Sequence, residues 1–142
     1  MAERAVAAPW IDTPQPSRWW IPAGALLYGV LVFGIGERNS LHPAVWFVLM
    51  VPVLALVGVW LGWGYGRLHA VPRLRSAPPE FVPAIRFYFI GYGLWLALVV
   101  TIFLTAGSRV AAVAAALGFY ALLAIFTRWS NAAAAAVRKR LA

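Results

Sequence analysis

The chain has 142 residues, 63% of them hydrophobic and only 11% charged, with a formal net charge of +8. Soluble domains are nearer half apolar and a quarter charged, so a water-soluble fold of this length has too few charges to cover its apolar surface. Cysteine is absent, which excludes a disulfide framework, a thiolate metal site and a thiol nucleophile.

With a mean hydropathy of +0.81, the covering medium must be lipid. Backbone groups in lipid have no water to bond, so spans are helices or closed barrels. The apolar runs here are continuous rather than alternating, which selects helices. The expected fold is all-α, a polytopic bundle of four transmembrane helices. The positive charge does not point to nucleic acid, because the basic residues sit at segment ends and in one loop. Arginine outnumbers lysine eleven to one, a bias that suits a GC-rich genome and carries no mechanism. The expected location is a bacterial plasma membrane, crossed several times.

Residues 1–17 contain Pro9, Pro14 and Pro16 and show no helical period. They read as a short flexible or extended tail, without the pattern of a cleaved signal peptide. The first span, residues 19–36, opens on Arg18, Trp19 and Trp20, with Pro22 in its first turn. Paired Trp rings suit the headgroup boundary. Gly24, Gly29 and Gly34 recur in this span at a spacing that drifts around a helix and makes no single stripe.

Residues 37–43 form a short polar link. The second span, residues 44–66, holds Pro52 in its interior, where a kink or interruption is expected. Gly58, Gly62 and Gly66 follow at four-residue spacing, a small-residue stripe that lets another helix approach. The Ala-rich start of the fourth span, Ala111 to Gly118, is the complementary small face expected to fill it, with a helix of a partner as the alternative.

Residues 67–86 form a basic loop carrying Arg67, Arg73, Arg75 and Arg86 against Glu80, stiffened by Pro78, Pro79 and Pro83. The third span covers 87–105, a turn covers 106–109 and the fourth span covers 110–127. The domain thus runs from 18 to 128. The tail 129–142 is Ala-rich, so the fourth helix should continue into it, with Arg138, Lys139 and Arg140 opposite the negative helix end.

Charge sets orientation. Arg18, the four loop arginines, Arg128, Arg138, Lys139 and Arg140 fall on one side; Arg38 and Arg109 fall on the other. The positive-inside rule then places both termini and the basic loop in the cytoplasm. Arg67, Arg73, Arg75, Arg86, Arg138, Lys139 and Arg140 are expected to meet anionic lipid headgroups. Arg18-Trp19-Trp20 and Arg86-Phe87-Tyr88 open the two hairpins alike, which the demands of topology explain without an internal repeat.

Ionisable groups inside a membrane are functional candidates by default, and none falls in the middle of a span. Glu37 comes closest, at the outer end of the first helix. It reads as an interfacial acid beside Arg38 or Arg109, with a coupling acid as the sharper reading. His42 and His69 fall on opposite sides of the membrane and cannot share a metal or haem. No serine has a nucleophile motif, and no cofactor is implied. Tyr28, Tyr92, Trp95 and Tyr120 are the polar-capable aromatics near mid-depth. They either line a pocket for a quinone or lipid tail or pack between helices. Thr101 and Thr105 are expected to bond their own helix.

These features favour a non-enzymatic accessory or scaffold subunit that packs as a homo-oligomer or within a larger membrane complex. A small oligomeric transporter or channel is the main rival, and a membrane enzyme or quinone- or lipid-binding protein is the third class.

Overall fold

The computed structural model describes residues 2–12, 18–66 and 77–142. Among them there are helices and no strands. They are α1 (Ala2–Ile11), α2 (Trp20–Gly36), α3 (Pro43–Gly66), α4 (Val82–Ala106) and α5 (Ser108–Leu141), with 3-10 turns at Glu37–Asn39 and Pro79–Phe81. Helices α2 to α5 are each long and apolar enough to cross a membrane.

Proline marks two of the starts. Pro43 is the first residue of α3, and Pro83 lies in the first turn of α4; neither position needs an N–H. Pro79 opens a 3-10 turn. The stretch read as stiff loop up to Arg86 therefore already belongs to helix from Val82 onward. Between α4 and α5 only Gly107 is non-helical, at φ +88°, where a Cβ is strained. The expected four-residue turn is a single residue. Helix α3 continues through Pro52 without interruption. The expected continuation of the fourth helix is present: α5 has 34 residues, about 50 Å at 1.5 Å each.

The N-terminal reading needs correction. Residues Ala2–Ile11 are helical, despite Pro9, which cannot donate a helical bond. What holds α1 is tertiary contact. Ala7 and Ile11 are buried with Phe81, Ala133, Ala134 and Val137, and Trp10, Ile85 and Leu141 pack around them. The Arg138 guanidinium donates to the Ile11 carbonyl, closing the end of α1 with a side-chain donor.

Helix α5 is the centre of the structure. It packs along α2 on one side and α4 on the other, and α3 packs chiefly on α2. The principal core joins Ala25 of α2, Trp95 and Val99 of α4, and Ala115, Phe119 and Leu123 of α5. Three helices thus share a core, and α3 is appended to the outer side of α2, reaching α5 through the Trp60–Phe119 ring contact at 6.5 Å.

The glycines of α2 make this possible. Five residues turn a helix by about 140° beyond a full turn, so Gly24 and Gly34 lie about 80° apart while Gly29 points away from both. Gly24 is filled by the Trp60 indole and Gly34 by the Met50 side chain, both from α3. Gly29 faces α5, where a Cβ would lie 2.9 Å from Ala116 Cβ and 3.0 Å from the Ala112 carbonyl oxygen. Gly36 is closed by Ser108. The drifting spacing serves two neighbours on two sides.

Candidate functional site

Among the described residues nothing fills the Gly58 and Gly62 stripe. Nothing lies within 4 Å of the Cβ position of either residue. Among the described side chains of α3 the covered positions are Trp46, Met50, Val53, Val57 and Trp60, and the two glycines sit about 140° around the helix from them. The expected filler, the Ala-rich face of α5, is spent elsewhere: Ala112 and Ala116 seat Gly29, and Gly118 seats the Trp95 indole. The surroundings of Gly66 lie outside the described residues. On this outward face Ala44, Val48, Val51, Ala55, Gly58 and Gly62 are all exposed. Their alternating spacing of four and three is a heptad seam, and every side chain in it is small or β-branched.

What binds α3 to α2 is polar as well as apolar. The Trp46 indole N–H donates to the Gly34 carbonyl at 2.7 Å, and the Trp60 N–H donates to the Trp20 carbonyl at 2.9 Å. Trp20 and Trp60 also stack, with centroids 4.4 Å apart. Indole donors have one partner to find, and here each finds a carbonyl on the neighbouring helix.

Glu37 occupies the 3-10 turn beyond α2. Its carboxylate accepts from Ser40 Oγ at 2.5 Å and from Ser108 Oγ at 2.9 Å. The Arg109 guanidinium stands 3.9 Å away. Its side chain is 84% exposed, so solvent screens most of that attraction. Ser108 is the first residue of α5, so the carboxylate lies by the positive end of a long helix. Two hydroxyls, a guanidinium and a helix N-terminus all serve the ionised carboxylate. The geometry is that of a latch between the two short links. Ser108 was missed as Glu37's partner, although both fall in the two short links between predicted spans.

The mid-depth aromatics divide. Tyr28, Tyr92 and Trp95 come together where α2, α4 and α5 meet. The Tyr28 and Tyr92 hydroxyls are 3.2 Å apart, and the Tyr28 ring packs on Trp95 and Phe119, each at 4.9 Å. The Trp95 indole N–H is buried without an acceptor among the described residues. Tyr120 instead faces outward and is 48% exposed. Thr101 donates to the Ala97 carbonyl and Thr105 to the Thr101 carbonyl, the intrahelical bonds read from sequence.

Of the basic residues, Arg67, Arg73 and Arg75 lie outside the described residues, as does His69. Arg86 and Lys139 are exposed. Arg138 bonds the end of α1, and Arg140 pairs with Glu80 at 2.8 Å. Two of the expected lipid contacts thus also tie α5 to its neighbours. His42 accepts from the Ala44 N–H at the start of α3 through Nδ1, a local turn contact. Among the described residues no three of His, Cys, Asp and Glu come together. No known protein family, curated protein or solved structure matches this chain.

Proposed function

We propose that this protein is a non-enzymatic membrane subunit, an accessory or scaffold that offers α3 to a transmembrane helix of another protein. The observation that carries this reading is the outward seam of α3. It runs from Ala44 to Gly62, contains only small and β-branched residues, all exposed, and among the described residues nothing lies within 4 Å of the Cβ positions of Gly58 and Gly62. In lipid a helix gains by close van der Waals contact and not by escape from water, so a side-chain-free groove stabilises only when another helix fills it. The three-helix core keeps its own contacts whether or not α3 is engaged on its far side, as a scaffold requires.

Tyr28, Tyr92 and the threonines of α4 do not argue for a conducting path. Tyr28 and Tyr92 bond each other inside the core, and both threonines bond their own helix. The charge split supports a multi-pass orientation with the termini and residues 67–76 in the cytoplasm. There the exposed Arg86 and Lys139 meet anionic headgroups, each worth about 1 kcal/mol.

The test is purification of the tagged chain from native membranes in mild detergent. A stoichiometric membrane partner is expected, and Gly62→Leu should release it without lowering the melting temperature of the isolated chain. A lone chain that supports flux in liposomes, with no partner, overturns the reading in favour of a transporter.

A further inference from the structure

The outer face of α5 differs in kind from the outer face of α3. Val113, Leu117, Tyr120, Ala124, Thr127 and Asn131 again alternate at four and three residues. The first three are 60%, 67% and 48% exposed, Ala124 and Thr127 are half-buried and Asn131 is exposed. This face lies opposite Ala111, Ala115, Phe119 and Leu122, which α5 buries against its neighbours. Unlike α3, it carries polar groups. Tyr120 lies about 15 Å along the axis from Val110 and about 10 Å from Thr127, so it stands in the hydrocarbon and not in an interfacial belt.

Among the described residues, the side chains of Tyr120, Thr127 and Asn131 make no hydrogen bond. Tyr28, Tyr92, Thr101 and Thr105 all do. A hydroxyl turned to lipid without a partner is costly. Something must supply an acceptor and a donor at the depth of Tyr120, whereas Thr127 and Asn131 lie at and beyond the end of the span.

We infer that the occupant of this face is a second copy of the same chain, paired through α5 about a twofold axis. Every copy crosses the membrane in the same direction, so two α5 helices meet in parallel and equal depths face each other. Tyr120 then meets Tyr120 of the other copy, and Thr127 and Asn131 meet their counterparts. Hydroxyls and carboxamides each donate and accept, so identical groups satisfy one another, as an isologous contact requires. A polar residue recurring in a heptad seam also sets register and parallel orientation. This inference does not rest on the reading of α3: α5 forms the twofold contact and the α3 seams remain open at its flanks.

The chain has no cysteine, so single cysteines report proximity cleanly. Val113→Cys, Leu117→Cys and Ala124→Cys in native membrane vesicles should give disulfide-linked dimers on oxidation. Ile125→Cys, off the face, should not, and neither should Val51→Cys on the α3 seam. Equal crosslinking at Ile125, dimers at Val51 instead, or none at the three α5 positions overturns the proposal. Tyr120→Phe keeps the ring and removes the hydroxyl. It should weaken dimerisation roughly three- to tenfold, the range for one or two interhelical bonds in a membrane. An unchanged dimer affinity would also overturn it. Ala124→Leu should abolish the dimer while the monomer's melting temperature holds, which separates loss of pairing from loss of fold.

Discussion

Two glycines of similar appearance in sequence should respond oppositely to the same substitution. At Gly29 the ideal Cβ already lies 2.9 Å from Ala116 Cβ and 3.0 Å from a backbone carbonyl of α5. Relaxed carbon contacts are about 3.5–4.0 Å, so even one methyl must push α2 and α5 apart by several tenths of an ångström. Neither neighbour can rotate away, because one is a backbone oxygen and the other is the only side-chain atom of an alanine. Gly29→Val adds two further methyls with a restricted rotamer. Overpacking of this kind costs about 2–3 kcal/mol, which is roughly a 30- to 150-fold loss in the folding ratio. Gly62→Val adds the same atoms where nothing lies within 4 Å, and the isolated chain should stay within about 0.5 kcal/mol of wild type. The assay is unfolding in mixed micelles of mild and denaturing detergent, followed by tryptophan fluorescence. Trp60 and Trp95 sit in or against the core and should report its loss. Equal stability of the two variants, or a larger loss at Gly62, would refute the packing assignment of both helices.

Cysteines at Ser40 and Ser108 should label with an impermeant reagent from outside intact cells while one at Ser76 does not, and the reverse pattern inverts the orientation. Gly107→Ala forces a Cβ onto φ +88° and should cost about 1–2 kcal/mol, read from the same unfolding curve. Glu37→Gln retains an acceptor for Ser108, so expression and melting should stay close to wild type. Loss of a proton-coupled flux in that variant, with the fold intact, would move Glu37 from a latch to a coupling acid.

The four spans were legible because continuous apolar runs long enough to cross lipid leave few alternatives. The choice of which small face packs on which was not. A four-residue glycine spacing makes a visible stripe, and a five-residue spacing does not. Yet Gly24, Gly29 and Gly34 are the contacts that hold the structure, because α2 has neighbours on two sides. That arrangement belongs to the assembly of helices and is carried by no single segment. Helix α1 was illegible for a related reason. A ten-residue helix is marginal alone, and its stability resides in Phe81 and Val137, far along the chain. The Glu37 latch was half legible: the acid and its depth were plain, but Ser108 became its partner only once the two links lay side by side.

The bond between Arg138 and the Ile11 carbonyl spans 127 positions of sequence. At about 5–20 residues per second of synthesis, α1 leaves the ribosome several seconds to tens of seconds before its binding surface exists. During that interval Ala7, Trp10 and Ile11 have no α5 to cover them, and a segment this short does not hold its helix alone. Helices α2, α3 and α4 have all been synthesised before α1 can dock. The docking of α1 therefore acts as a timestamp of biogenesis: its protection from protease, followed in a pulse-chase, marks the moment at which residues 133–138 have been made and placed.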